Sequence, residues 1–464
     1  MATTTTKPES KPPHIALFPC AGMGHLIPFL RLAAMLDSRG CTVTFITVQP
    51  TVTAAESDHL SDFFTLYPHI RRLEFQLLPY KKSKFTNEDP FFIQMESICS
   101  SVHVLYPLLQ SLSPSLSAII ADLPVTSRII HLASDLSISI YILTTTSARF
   151  FSVMNHLPQL ADNNNNTRCN NGHIEIPGLG PMDVSNIPPA MLNPDHFFAV
   201  GITSNVSSLS KVNGILINTF TSFEPEAIDA LKNNSGIAPI LPIGPFECFN
   251  TPKAPNNLEW LDEQRPESVL FISFGSRTAL SKDQITELAN GLEKSRCKFL
   301  WALKGSKVDK EDKEKIENIL GKSFIDRTMN QGKVVKEWVN QEQILAHPSV
   351  GGFLSHCGWN SVIEAAKLGV PILAWPQHGD QKVNAEVVEN GGLGTWIRDW
   401  GWGTEKMVDS NEIAEKIKEF MVGGNLRVRA KEMKVKAQEA REINGSSEGL
   451  LRRMLESLKN KEED

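Results

Sequence analysis

Residues 338–381 read WVNQEQILAHPSVGGFLSHCGWNSVIEAAKLGVPILAWPQHGDQ, and this stretch decides the fold. An apolar run, Val350 to Leu354, predicts a buried strand. It leads into Ser355-His356-Cys357-Gly358-Trp359-Asn360-Ser361 and then into a helical pattern that stops at Gly369. A second apolar run, Val370 to Trp375, ends in Gln377-His378-Gly379-Asp380-Gln381. The order is strand, polar loop, helix, strand, polar loop. In an open parallel sheet, ligands bind beyond the carboxyl ends of the strands, where both loops fall. The first loop opens a helix, so free N–H groups and the positive end of the helix dipole suit a phosphate. The second offers a carboxylate and an amide, which suit sugar hydroxyls.

The segment resembles the nucleotide-sugar signature of the plant family 1 UDP-glycosyltransferases. It matches at Gln341, His347, His356, Trp359-Asn360-Ser361, Glu364 and Asp380-Gln381. The resemblance implies an α/β chain of the GT-B class, with two Rossmann-like doubly wound domains facing across a cleft. It also implies roles. Trp338 stacks on uracil beside Val339, and Gln341 and Glu364 take the ribose. His356, Trp359, Asn360, Ser361 and Ser276 surround the diphosphate, with Arg277 beside them. Asp380 and Gln381 hold the sugar, Gln381 leaning to UDP-glucose over UDP-galactose. Where the family usually has Pro before the ribose Gln, this chain has Asn340.

Outside the signature, AGMGHLIPFLRLA (21–33), QPTVTAAES (49–57), DPFF (89–92) and SFGSRTALSKDQ (273–284) look like the flavonoid C-glucosyltransferases of that family. Arg277 stands where common O-glucosyltransferases have no Arg. The matching general base is His25, and its acidic partner is Asp122. Gly24 and Asp89 fall on the acceptor side.

The residues themselves support this chemistry. An imidazole with an ordinary pKa of about 6.5 accepts a phenolic proton near neutral pH. A carboxylate on its far nitrogen fixes the tautomer and stabilises the imidazolium. Asp122 has a second reading as a helix N-cap, and so has Asp89, whose alternative is an acidic group near His25 or the acceptor hydroxyls. No aspartate pair closes a strand in the manner of a metal-binding DxD, so no metal and no cofactor is expected.

The rest of the chain sets the frame. Its 464 residues suffice for two to three domains. The net charge of −6, with no basic block, gives no footprint for nucleic acid. The 7 cysteines are scattered without a CxxC, which fits reduced thiols in the cytoplasm. Met1 to Pro13 reads as a disordered Thr-, Lys- and Pro-rich segment without the apolar core of a signal peptide. No apolar run is long enough to span a bilayer.

Strands are predicted at His14–Pro19, Thr42–Val48, Arg72–Leu77, Ala118–Ile120, Ser139–Leu143, Gly214–Thr219 and Ile240–Ile243, with helices at Pro28–Asp37 and Phe91–Leu112. Residues 162–172, with an Asn run, and the charged stretch 307–315 read as exposed loops. The polar, Pro-containing stretch 246–257 is expected to link an acceptor domain (1–245) to a donor domain (258–445). In the donor domain, strands are expected at Val269–Phe274, Lys298–Leu303 and Lys333–Lys336, and a helix at Lys282–Ser295. The resemblance implies that residues 446–464 form a helix crossing back to the first domain. The expected partners are UDP-glucose and a small aromatic acceptor, the acceptor lodged among loops such as 81–89 and 182–198, and the chain is expected to act as a monomer. The competing readings are an O-glucosyltransferase of phenols and a non-catalytic UDP-sugar-binding protein.

Overall fold

The computed structural model describes residues 11–81, 89–160, 169–170, 172–249, 258–305, 314–336, 339–403 and 405–460. Trp338, the Asn run, most of the charged stretch and residues 250–257 lie outside that set.

The first sheet comprises β1 (His14–Phe18), β2 (Thr42–Gln49), β3 (Arg71–Gln76), β4 (Ala118–Asp122), β5 (Ser139–Thr144), β6 (Gly214–Ile217) and β7 (Ile240–Pro242). Its order is β7-β6-β5-β4-β1-β2-β3, with every pair parallel. The central strands read HIALF and AIIAD and are buried along their whole length, because helices cover both faces. The edge strand β3 reads RRLEFQ and is mostly exposed, charges facing water.

The second sheet comprises β8 (Val269–Ser273), β9 (Lys298–Ala302), β10 (Gly332–Val335), β11 (Val350–Ser355), β12 (Ile372–Ala374) and β13 (Gly394–Trp396). Its order is β10-β9-β8-β11-β12-β13, again all parallel. Phe271 pairs with Phe353 across β8 and β11, their rings stacked at 5.1 Å. Such a pair adds about 0.5–1.5 kcal/mol beyond burial and pins the register at the middle of the sheet. A small antiparallel sheet joins Cys169–Asn170, His173–Ile174 and Met182–Asp183.

In each large sheet the connection reverses direction between the two central strands, β1 and β4 in one and β8 and β11 in the other. A crevice opens at such a switch point, beyond the carboxyl ends. The two crevices face each other.

The two halves are also tied by packing. Leu451, Met454, Leu455 and Leu458 of the Ser446–Asn460 helix share a core with Ile15, Leu17 and Phe29. Phe223 stacks on Trp359 at 6.0 Å. Phe246 is fully buried and Phe249 packs edge-on against Phe63, so the stretch from 246 begins as packed chain rather than solvated linker.

Some boundaries differ from the sequence reading. The helix placed at Pro28–Asp37 begins at Met23, with Pro28 inside it. The single helix placed at Phe91–Leu112 is broken into Pro90–Ser101, a 3-10 turn at Val102–Val104 and Leu105–Gln110. Pro107 has no N–H to return to the His103 carbonyl, which weakens the helix there. Strand β4 runs on to Asp122, two residues past Ile120.

Candidate active site

A cleft of about 1410 Å³ runs between the carboxyl ends of the sheets. One wall carries His25, Asp122 and Thr145, and the other carries Ser276, His356, Asn360 and Asp380.

His25 lies in the first turn of the Met23–Asp37 helix, directly after β1. Asp122 ends the adjacent strand β4. The switch point of the first sheet thus brings together two residues 97 positions apart. His25 Nδ1 donates to Asp122 Oδ2 at 2.7 Å. The same oxygen accepts the Cys20 N–H at 3.1 Å, and Asp122 is completely buried. Although Asp122 precedes a short 3-10 turn, its side chain makes no capping bond there. Its carboxylate orients the imidazole instead. Burial, the largest influence, pushes the His25 pKa down, but the charge and hydrogen bond of Asp122 more than offset it, and the net shift is upward. With Nδ1 committed to Asp122, Nε2 has no hydrogen-bond partner among the described residues and is the atom free to take a proton.

The switch point of the second sheet builds the opposite wall. After β11, Cys357 takes a left-handed φ of 64°, a conformation that non-glycine residues rarely hold. It is pinned by Ser355 Oγ, which accepts its N–H at 3.1 Å, and by Asn384 Nδ2, which donates to its carbonyl at 3.0 Å. The Trp359–Leu368 helix then starts with no side-chain cap, leaving its first N–H groups for a ligand. His356 is wedged between two glycines: a Cβ at Gly275 or at Gly358 would lie 2.5 Å from its Nε2. Burial, reinforced by the neighbouring His378, pushes its pKa down to about 3. At neutral pH His356 therefore offers a neutral N–H rather than a positive charge.

Asn360 reaches across the cleft, its Nδ2 donating to the Gly24 carbonyl at 3.3 Å. That carbonyl is open because Pro28, four residues on, has no N–H to return to it. The Asn360 Oδ1 is buried without a hydrogen-bond partner among the described residues. The Trp359 indole turns inward and donates to the Asn218 carbonyl at 3.0 Å, so this residue presents its backbone to the cleft. Ser276 and Val339 line the cleft.

Gln341 Nε2 donates to Ser361 Oγ at 2.9 Å and to Glu364 Oε2 at 2.7 Å. The other Glu364 oxygen accepts from Arg31 Nη2 at 2.5 Å. At the far end, Thr146 Oγ1 donates to Asp380 Oδ2 at 2.5 Å. Burial raises the Asp380 pKa, and the hydrogen bonds of Thr146 and Asn384 restrain the rise. Gln381 Oε1 accepts the N–H groups of Gln377 and His378 at 2.8 and 2.9 Å, which shapes the 377–381 loop.

Of the two readings of Asp89 the N-cap is seen, and the other carboxylate oxygen goes to Arg277. Oδ1 caps the Pro90–Ser101 helix by accepting the Phe91 N–H at 2.9 Å, and Oδ2 accepts from Arg277 Nη2 at 3.1 Å. The Arg277 guanidinium lies 4.1 Å above the Phe91 ring, and that ring stands 5.8 Å from the His25 imidazole. Arg277 thus belongs to a bridge on the His25 side of the cleft.

The protein-family model that matches is "UDP-glucoronosyl and UDP-glucosyl transferase", over residues 198–410. The chain is 44% identical to UDP-glycosyltransferase 708G2 of Citrus unshiu, over 96% of this chain and 97% of that protein. The chain belongs to this family. It is also 43% identical to UDP-glycosyltransferase CGT of Oryza sativa subsp. indica, over 94% of each chain. The solved structure of LpCGTa in complex with UDP superposes with a TM-score of 0.85 at 43% identity, covering 96% of this chain and 99% of that one. The two facing sheets are the GT-B fold of the UDP-glycosyltransferases. Among the described residues, no helix is long and apolar enough to cross a membrane.

Within this UDP-glycosyltransferase, three site residues escaped the sequence reading. Thr145 Oγ1 lies 3.2 Å from His25 Nδ1, and Thr146 binds Asp380. Both follow β5, and a polar run at the carboxyl end of a parallel strand is the signal that marks them. Arg31 carried no such signal, because its carboxylate partners lie more than 300 residues away. The half of the cleft on the His25 side is apolar, with Phe91, Phe92, Phe150, Phe197 and Phe198 on its walls. Its Pro188 to Ala190 and Phe197–Phe198 come from the stretch expected to hold the acceptor, whereas 82–88 lies outside the described residues.

Proposed function

We propose that this UDP-glycosyltransferase moves glucose from UDP-glucose to a phenolic acceptor with a phloroglucinol-type ring, forming a bond to an aromatic carbon. One observation carries the reading. The His25–Asp122 pair, at 2.7 Å, stands on an aromatic-lined wall opposite an uncapped helix N-terminus and the Asp380 carboxylate. A base at an acceptor pocket faces a phosphate- and sugar-binding surface.

His25 Nε2 takes the phenolic proton, and Asp122 stabilises the imidazolium. The resulting phenolate shares its charge with the ortho carbons. If the pocket presents one of those carbons, it displaces UDP from the anomeric centre with inversion, so an α-linked donor gives a β-product. The proton on that ring carbon then passes to water or to the departing diphosphate, since His25 is already protonated, and aromaticity is restored. Positioning, not basicity, selects carbon over oxygen. Likeness to the rice protein named CGT and to LpCGTa supports carbon, as does the bridge of Asp89, Arg277 and Phe91 over the acceptor side.

On the donor side, Trp338 and Val339 take uracil, and Gln341 and Glu364 take the ribose. Ser276, the neutral His356, the Trp359 backbone, and the backbone and side chains of Asn360 and Ser361 take the diphosphate, so the leaving group is stabilised by N–H donors without a metal ion. Asp380 and Gln381 hold glucose. The enzyme works as a monomer without a cofactor, and in the cytoplasm, the location that free thiols among the described residues support.

The test is one reaction with UDP-glucose and phloretin, analysed by mass spectrometry. A C-glucoside fragments across the sugar ring and survives acid, whereas an O-glucoside loses the whole sugar. A product of the second kind would leave the UDP-glycosyltransferase assignment standing and overturn the C-glucosyl reading. No product with any phenol would favour a UDP-sugar-binding protein.

A further inference from the structure

Arg31 lies within the Met23–Asp37 helix of the first half of the molecule, yet both of its carboxylate partners lie in the second half, its remaining contact being the Cys248 thiol. Nη2 donates to Glu364 Oε1 at 2.5 Å and to Glu342 Oε2 at 3.2 Å. Its side chain is only 7% exposed, and Nε and Nη1 are buried without a hydrogen-bond partner among the described residues. Glu342 is shared with Lys367 and with the Cys248 thiol. Glu364 has no second cation within ion-pair distance among the described residues. Its other oxygen receives only the neutral Gln341 amide. Arg31, Gln341, Ser361 and Glu364 all border the same end of the cleft.

We propose that Arg31 is the positioning residue of the ribose subsite: it reaches from the acceptor half to hold the Glu364 carboxylate toward the ribose hydroxyls, so that donor binding and closure of the cleft are coupled. The proposal rests on the reading of Glu364 as the ribose acceptor. A buried carboxylate without a countercharge is costly and turns away or recruits water. A carboxylate has about four lone-pair sites, so accepting from Arg31 and Gln341 leaves two for the 2′- and 3′-hydroxyls. The planar guanidinium also fixes the carboxylate plane, which a flexible ammonium does not. Because the contact spans the halves, opening the cleft removes the Glu364 countercharge, and binding ribose favours the closed form.

The experiment compares Kd for UDP and 2′-deoxy-UDP by calorimetry in the wild-type protein, Arg31→Met and Arg31→Lys. The wild-type protein is expected to bind UDP about 10-fold or more tightly than the deoxy ligand, the scale of one hydrogen bond to a charged group. In Arg31→Met, UDP binding should fall by about 10- to 100-fold and the ratio between ligands should shrink to about 3-fold or less. A purely structural role would weaken both ligands alike, so a wild-type ratio in Arg31→Met overturns the proposal. Arg31→Lys should give an intermediate ratio. If the Met variant does not fold, the Lys variant decides, and an unchanged ratio there overturns the proposal too. A wild-type protein that does not distinguish the ligands removes Glu364 from the ribose, and the proposal falls with it. That result differs from a failure of Arg31 alone.

Discussion

Thr146, two residues past β5, donates a 2.5 Å hydrogen bond to Asp380, six residues past β12. One bond therefore spans the cleft from the acceptor wall to the carboxylate assigned to the sugar. Both partners hang from the carboxyl ends of parallel strands, in sheets that face each other.

Thr146→Val keeps the shape and removes the donor. A hydrogen bond to a charged group contributes about 1.5–3 kcal/mol. The variant should lose roughly 10- to 100-fold in kcat/KM for UDP-glucose while UDP alone binds as before, because UDP carries no sugar. Steady-state kinetics and calorimetry check this. Equal losses for UDP and UDP-glucose would mean that Thr146 shapes the fold rather than the sugar site.

Gln381 uses its carbonyl oxygen to gather the Gln377 and His378 amides, which leaves its NH2 group for a sugar hydroxyl. An imidazole cannot accept two amides and donate two hydrogens at once. Gln381→His should narrow the preference for UDP-glucose over UDP-galactose, measured as the ratio of kcat/KM in competition. A ratio equal to that of the wild type would detach Gln381 from donor choice.

Gly275→Ala would place a methyl 2.5 Å from His356 Nε2 at a φ of 78°, where a side chain is strained in any case. Gly358 stands as close to the same nitrogen, so the imidazole has little slack around it. UDP affinity should drop about 10-fold or more, with a lowered Tm, because the imidazole leaves the diphosphate. Calorimetry with UDP reads the first effect and thermal denaturation the second. Unaltered UDP binding would show that His356 does not contact the diphosphate.

Much of this site was legible because its positions hang on buried parallel strands. The apolar runs Val350 to Leu354 and Val370 to Trp375 read as strands and fold as β11 and β12, and the segments after them carry His356, Asn360 and Asp380. The Lys282–Ser295 helix could be read to the residue, since Ser281 caps it by accepting the Gln284 N–H. What stayed hidden depends on distant partners. Arg31 sits in a sequence that reads as an ordinary helix with one basic residue, and only folding sets it against Glu364. Trp359 belongs to the signature, but sequence does not say that its indole points at Asn218 instead of the ligand. Asp89 could not be assigned to cap or site because it serves the helix with one oxygen and Arg277 with the other. Strand β13 and the Ser410–Val422 and Gly424–Arg441 helices lie past the signature, where no motif drew attention to them.

The pH dependence follows from the His25 environment. A general base must be neutral, so kcat/KM rises with pH through its pKa in the free enzyme. For the wild type that midpoint should lie above the ordinary value of about 6.5, because Asp122 outweighs burial. In Asp122→Asn the main countercharge is gone and burial outweighs the weaker influence of Asp380, so the midpoint should move down. The plateau should fall at least about 10-fold, since the amide no longer fixes the imidazole tautomer. A profile that keeps the wild-type midpoint would deny Asp122 its hold on His25.

The central claim is that His25 takes the acceptor proton, and the kinetics of His25→Ala with a phenolic acceptor at neutral pH test it most directly. The variant should lose on the order of 10²–10⁴-fold in kcat, the scale of general-base removal, with UDP-glucose binding near wild type. The deficit should shrink as pH approaches the pKa of the phenol, where a preformed phenolate needs no base. A variant as active as the wild type at neutral pH would contradict the account.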